Sequence, residues 1–278
     1  MVTPDQKSID RLIETALEED IGQGDLTSAA TLGEETRLSL VMASREDIVV
    51  AGLDIAAQIF RRLAPDADIR CLVVDGARAA SGAQLMVLEG PARGLLTAER
   101  TALNTVQLLS GIATETRRFV DAIEGTGAVL LDTRKTIPGL RVLSKYATAM
   151  GGATNHRMRL DDGVLIKDNH IAVAGTAARA VEMAQEAGLK DIEVECDTLD
   201  QVFEALQAGA DKILLDNMNS YDLRRAVEMT AGRVPLEASG GVNLATISAI
   251  AQTGVDYISV GRITQSAPAV DIGLDLYA

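Results

Sequence analysis

The chain has 278 residues, 47% of them hydrophobic and 24% charged, with 26 Lys and Arg against 40 Asp and Glu for a formal net charge of −14. A field of that sign repels nucleic acid and anionic membrane surfaces, so neither is expected as a partner. No apolar run approaches the ~20 residues that span a bilayer. Two cysteines, Cys71 and Cys196, give neither a disulfide framework nor a metal-ligand spacing.

The N-terminal stretch MVTPDQKSIDRLIETALEED is acidic and amphipathic rather than a signal peptide, and with the cysteine usage it points to the cytoplasm. Residues 37–52, 69–76 and 84–92 read as partly alternating strands punctuated by glycine, with a helix over 53–63. A longer helix opens at Thr97, with Ala98, Ala102, Leu103, Val106 and Leu109 on its apolar face. This α+β pattern predicts a first domain over 1–111, its boundary near Gly111.

The remainder has a beat. Apolar β-branched runs ending in polar residues recur: 128–131 before Asp132, 164–166 before Lys167, 192–194 before Glu195, 213–215 before Asp216, 234–236 towards Ser239, and 257–260 before Gly261. The last four landmarks are 21, 23 and 22 residues apart. Short helices with i, i+3, i+4 apolar spacing lie between them. Thr198, Ser220 and Asn243 are the expected N-caps, and Gly188, Gly209, Gly232 and Gly254 the expected stops. Such repeating units predict a parallel α/β barrel over 112–265. Its strands read as apolar throughout rather than alternating, as burial on both faces demands.

Barrel chemistry gathers where strands end. Those positions carry Thr133, Arg134 and Lys135, then Lys167, Glu195, Asp216, Ser239-Gly240-Gly241 and Gly261-Arg262. Glycines in the last two loops permit backbone N–H groups to approach a phosphate. Between Asp132 and His170 seven cations face four carboxylates, a basic island in an acidic chain, and both histidines fall inside it. Strand ends of fixed cations suit a multiply anionic ligand. Each residue also has a plainer reading: Arg100 as an exposed helix arginine, His156 as a hydrogen-bonded structural histidine, Glu195 and Asp216 as surface ions. Lys167 could equally form a Schiff base, as in barrel aldolases. His170 reads as support for the strand end, and Cys196 as core packing.

The sequence also resembles, along nearly its whole length, the quinolinate phosphoribosyltransferase (carboxylating nicotinate-nucleotide pyrophosphorylase) family of NAD biosynthesis. The resemblance is carried by EEDIGQGDLTS (18–28), ASGAQLMVLEGPARGLLTAERTALNTVQLLSGIAT (80–114), DTRKTIPGLR (132–141), GGATNHR (151–157), IKDNHI (166–171), EVEC (193–196), LLDN (214–217) and EASGG (237–241). It implies an N-terminal α/β sandwich joined to an open seven-stranded α/β barrel, with residues 266–278 returning to the first domain. It further implies a homodimer or higher homo-oligomer with sites shared between subunits. On this resemblance Arg134, Arg157 and a neighbouring subunit's Arg100 hold the dicarboxylate, with His156 and Thr133 close by. Lys135 and Lys167 serve quinolinate or pyrophosphate. Glu195 and Asp216 face the ribose hydroxyls of phosphoribosyl pyrophosphate and Mg²⁺, bound directly or through water. Ser239, Gly240, Gly241 and Gly261 take the 5′-phosphate.

The chain departs from the family pattern in Ala153, where a third glycine is common, and in Arg262 and Gln265, where a small residue and a histidine are common. Three rival readings are a related phosphoribosyltransferase using nicotinate or a molybdenum-associated acid, an aldolase built on Lys167, and a non-catalytic anion sensor.

Overall fold

The structure, a computed structural model, describes residues 3–277. In chain order the elements are α1 (Gln6–Ile21), α2 (Leu26–Thr31), β1 (Arg37–Ser44), β2 (Ile48–Val49), α3 (Leu53–Leu63), β3 (Asp68–Cys71), β4 (Arg78–Ala79), β5 (Gln84–Pro91) and α4 (Ala92–Ala122). There follow β6 (Val129–Leu131), α5 (Arg141–Met150), β7 (Val164–Ile166), α6 (Asp168–Ala174), α7 (Ala177–Glu186), β8 (Ile192–Cys196), α8 (Leu199–Gln207) and β9 (Lys212–Asp216). Last come α9 (Ser220–Thr230), β10 (Leu236–Ser239), α10 (Ile247–Ala251), β11 (Tyr257–Ser259), α11 (Arg262–Gln265) and β12 (Ile272–Leu276). Among the described residues no helix is long and apolar enough to cross a membrane.

Two compact units emerge. One runs to Arg117 and adds Ile137–Gly152 and the segment from Ser266; the other holds Arg118–Thr136 and Ala153–Gln265. The sequence division at Gly111 left residues 137–152 with the barrel. They belong instead to the first unit, because Leu143 and Ala147 of α5 are buried in its core.

In the first unit an antiparallel sheet runs β12-β1-β5-β3. The last strand pairs Ile272 with Ser44 and Leu276 with Leu40, so the chain's end completes that sheet. The predicted apolar face of the long helix is buried in full at Ala98, Ala102, Leu103, Val106 and Leu109, although α4 begins at Ala92 rather than Thr97. Asp25 caps α2 through Ser28 N at 2.9 Å and also accepts from Thr97 Oγ at 2.9 Å. Those bonds draw its carboxyl down to about 2, the Ser28 hydroxyl contributing most. That part of the family-like motif therefore does structural work.

In the second unit the sheet order is β6-β11-β10-β9-β8-β7, all parallel. Each strand from β7 to β11 lies beside its successor and the first pairs with the last, which curls the sheet into a barrel. A seventh segment joins beyond β6 through a single parallel bridge, Leu131 to Thr154. The ring stays open between that segment and β7. Helices pack outside and leave apolar residues such as Val194, Ile213 and Ile258 fully buried. Glycines 188, 209, 232 and 254 all have positive φ, as helix stops require. Two caps differ: Asn219, not Ser220, accepts from the first turn of α9 (Tyr221 N at 2.9 Å, Asp222 N at 3.1 Å), and Thr246, not Asn243, is the N-cap of α10.

The strands also correct the expectation of uniform apolarity. Period-two alternation on β8, β9 and β10 places Glu193 and Glu195, Lys212 and Asp216, and Glu237 and Ser239 on one face of the sheet. Their opposite faces are apolar. Burial on both sides does not require both sides to be apolar when one is an enclosed polar core.

Candidate active site

The C-terminal ends of the barrel strands surround a cavity of about 350 Å³. Thr133, Arg134 and Lys135 reach it from the loop after β6, His156 and Arg157 from the segment after the Thr154 bridge, and Lys167 from the end of β7. Glu195, Asp216 and Ser239 enter from β8, β9 and β10. One wall, from the ends of β6, the Thr154 segment and β7, is therefore cationic, and the neighbouring ends of β8 and β9 carry carboxylates.

The cationic wall has a rigid foundation. Asp132 is fully buried at the end of β6 and accepts the His156 backbone N–H at 2.8 Å and Asn155 Nδ2 at 2.7 Å. This clamps the Asn155-His156-Arg157 turn to the strand end carrying Arg134. Arg157 Nη1 donates to Gly163 O at 2.9 Å. Burial and then the nearby Arg134 charge lower the Arg157 pKa. Two guanidinium groups so placed destabilise each other and would be relieved by an anion between them.

Lys167 Nζ makes an ion pair with Glu195 Oε2. His170 Nδ1 accepts the Lys167 backbone N–H at 2.9 Å, the supporting role expected of it. Asp216 accepts from Asn217 Nδ2 at 2.5 Å. Gly240 has φ of 88°, and a Cβ there would stand 2.2 Å from Asn217 Oδ1, so only glycine fits. A Cβ on Gly261 would meet Lys135 Cδ at 2.8 Å, while Thr264 Oγ donates to Lys135 O at 2.6 Å. These contacts seat the loop after β10 against Asn217 and the loop after β11 against Lys135.

Beneath the cavity lies an ionic cluster. His156 Nε2 is 3.2 Å from Glu193 Oε2 and 3.4 Å from Glu237 Oε2. Lys212 Nζ is 3.2 Å from Glu193 Oε1, pairs with Glu237 Oε2, and stands 4.6 Å over the Tyr257 ring. Burial works against the imidazolium, but the two carboxylates outweigh it and push His156 up to about 9. Glu237 is held down to about 2, the penalty of burial being overcome by His156 and Lys212. The Arg157 N–H, 2.8 Å from His156 Nδ1, fixes the Nε2–H tautomer whenever the ring is neutral.

Comparison with known proteins agrees with this geometry. Residues 25–110 match the quinolinate phosphoribosyl transferase N-terminal domain, and residues 112–275 match the C-terminal domain of the same enzyme family. The chain belongs to this family. It is 45% identical over 271 residues to the nicotinate-nucleotide pyrophosphorylase [carboxylating] of Mycobacterium leprae, covering 95% of each chain. It is 42% identical to the probable enzyme of that name from Bacillus subtilis, over 93% of this chain and 90% of that one. The solved nicotinate-nucleotide pyrophosphorylase of Francisella tularensis superposes with a TM-score of 0.95 at 41% identity, covering 99% of this chain and 98% of that one. The fold alone does not choose the acid. At 14% identity human nicotinic acid phosphoribosyltransferase shares it, with a TM-score of 0.63 over 99% of this chain and 74% of that one.

Membership of the quinolinate phosphoribosyl transferase family sets aside the aldolase and anion-sensor readings. Of the residues singled out from sequence, nine line the cavity: Thr133, Arg134, Lys135, His156, Arg157, Lys167, Glu195, Asp216 and Ser239. Gly240, Gly241 and Gly261 lie in the adjoining loops and Arg262 opens α11, none of them lining it. Arg100 stands on the first unit, exposed and 3.9 Å from Glu99. Ala153 is buried. Cys196 is fully buried and burial pushes its thiol up to about 12, which suits packing.

Sequence reasoning missed Leu165, Leu214, Glu237 and Ser259 on the wall, and Glu193, Lys212 and Asp132 behind it. The available signal was the i, i+2 pair Glu193 and Glu195 inside an otherwise apolar run. Ser259 Oγ donates to Ser239 Oγ at 2.9 Å and so orients that hydroxyl.

Proposed function

We infer that this chain is a quinolinate phosphoribosyltransferase, converting quinolinate and phosphoribosyl pyrophosphate to nicotinate mononucleotide, pyrophosphate and carbon dioxide. The observation that carries the reading is that Arg134 and Arg157, guanidinium groups near enough to repel each other, line one cavity with Lys135, Lys167, Glu195 and Asp216. Arginine forks bind carboxylates through two parallel bonds, and a dicarboxylate satisfies two such forks. Lys135 and Lys167 add charge for a carboxylate or for pyrophosphate. Ser239 and the Gly240, Gly241 and Gly261 loops suit the 5′-phosphate, with Arg262 and Gln265 beside them supplying charge and a hydrogen-bond donor.

The ring nitrogen attacks the anomeric carbon of the ribose and the bond to pyrophosphate breaks, through a transition state of oxocarbenium character. The carboxylate beside the newly cationic nitrogen then leaves as carbon dioxide. Its bonding electrons stay on the ring carbon, which takes up a proton. The side chains orient the reactants and place charge; no covalent nucleophile is needed. Glu195 and Asp216 are hard oxygen donors at the cavity wall, the set Mg²⁺ prefers, and directly or through water they would hold the ion that accompanies pyrophosphate. That ion would supply positive charge to the departing pyrophosphate.

The enzyme works as a homodimer or higher homo-oligomer in which Arg100 of one chain completes its neighbour's site. We place it in the cytoplasm, where the unpaired Cys71 and Cys196 are at home. The test of substrate class is turnover with phosphoribosyl pyrophosphate and either quinolinate or nicotinate. Quinolinate alone should react; faster turnover of nicotinate would replace this reading with that of a monocarboxylate enzyme.

A further inference from the structure

We propose that the turn around Leu160 of one chain seats in a groove on the first unit of a second copy, and that this contact carries the neighbour's Arg100 to the cationic side of the cavity. The inference rests on the homo-oligomer with shared sites and names the surface that joins it. The turn is closed on itself. Asp162 accepts the Met158 and Arg159 backbone N–H groups at 2.8 and 2.9 Å, and Arg157 Nη1 donates to Gly163 O at 2.9 Å. At its tip the Leu160 side chain is nonetheless 72% exposed. A scattered surface leucine needs no explanation. This one is held on a rigid turn three residues from Arg157 of the cavity wall.

The groove has the complementary chemistry. It lies in the first unit between α1, α4 and the residues before α5 and holds about 210 Å³. Leu12, Leu108 and Leu140 make it apolar, and the exposed Glu19, Asp20 and Asn104 edge it. Glu18, Glu19 and Asp20 fall in the last turn of α1, where the helix dipole disfavours carboxylates and no basic residue offsets them. An apolar groove with such a rim fits an apolar knob flanked by cations. Leu160 follows Arg157 and Arg159, and the Arg159 side chain is 74% exposed even with Asp161 3.3 Å away. Position selects this knob as well. Arg100, Asn104 and Leu108 stand at i, i+4 and i+8 on α4 and so share one face, the last two in the groove. A neighbour whose guanidinium wall meets Arg100 therefore lays its own rim along the groove. Tyr221 and Leu244 are also exposed, but they follow β9 and β10, whose ends carry Asp216 and Ser239 rather than guanidinium groups.

Thiol crosslinking of the full-length protein tests the contact, with the exposed Cys71 replaced by Ser and the buried Cys196 left in place. A chain carrying both Asn104→Cys and Leu160→Cys should be joined by a short bis-maleimide into a covalent dimer, because a two-fold interface makes the contact twice. Neither single variant should be joined, nor Asn104→Cys combined with Leu244→Cys. A crosslink confined to one chain, no crosslink in a protein that sediments as a dimer, or equal joining through Leu244 would overturn the proposal. A wild-type chain that sediments as a monomer would instead overturn the homo-oligomer reading on which it rests.

Leu160→Glu gives an independent arm. The side chain fills no core, so the variant should keep the far-ultraviolet circular dichroism of wild type. Its self-association, read by sedimentation, should weaken on the order of thirtyfold, the effect of removing a central apolar anchor. Quinolinate affinity should then fall as the variant is diluted, since Arg100 withdraws with its chain. Unchanged self-association would overturn the proposal.

Discussion

Arg134, Arg157, Glu195 and Asp216 line one cavity, and on the proposed reading the two kinds of charge do different work. The arginines suit the acid and the carboxylates suit the ribose and metal, so the two sets should separate in experiment. Glu195→Gln and Asp216→Asn are expected to weaken Mg²⁺-dependent turnover while sparing quinolinate binding. Loss of quinolinate affinity with an unchanged Mg²⁺ response would reverse the two halves of the site. The strand-end residues were legible because a fixed charge ending an apolar run has no packing explanation. Ser259 was not, because a hydroxyl inside a strand is common and only its bond to Ser239 gives it a role. Arg100 carries no such signal, being an exposed arginine on a helix.

Among the elements, the parallel strands and their glycine stops could be read from the recurring spacing, since each helix end needs a residue tolerant of positive φ. The inward face of β8, β9 and β10 could not. Alternation in a four- or five-residue strand is short, and its meaning depends on which strands become neighbours: Glu193 pairs in register with Lys212, and Glu237 with Leu214 and Tyr257. The resulting cluster makes stability depend on pH. His156 is raised from its ordinary 6.5 to about 9, so its stabilising contribution is complete below pH 6.5 and is lost as pH rises through 9. Glu237 is lowered from 4.5 to about 2, so its contribution is present above pH 4.5 and is lost as pH falls through 2. The histidine shift corresponds to about 3 kcal/mol. Urea unfolding between pH 6 and 9.5 should therefore show the stability gap between wild type and His156→Asn narrowing by an amount of that order. A constant gap would refute the assigned charge state.

For the whole molecule, the sequence conveyed two cores and the return of the last strand to the first sheet, whereas the place of residues 137–152 was hidden. Their helix lies between two barrel segments in the chain, and only burial of Leu143 and Ala147 assigns it. Arg100 belongs to the first unit and the cavity cations to the second. If neighbours exchange Arg100, mixing inactive Arg100→Ala chains with inactive Lys167→Ala chains should restore activity towards about a quarter of wild type, because about half the dimers mix and each then has one intact site of two. No recovery after demonstrated subunit exchange would confine Arg100 to its own chain's site or to none.

The reaction itself offers the most direct measurement: release of labelled carbon dioxide from carboxyl-labelled quinolinate, with and without phosphoribosyl pyrophosphate. Release should require phosphoribosyl pyrophosphate and match the pyrophosphate formed one for one, because the carboxylate leaves only after the ring nitrogen has become cationic. Release without phosphoribosyl pyrophosphate, or pyrophosphate formed with the carboxylate retained, would contradict the proposed chemistry.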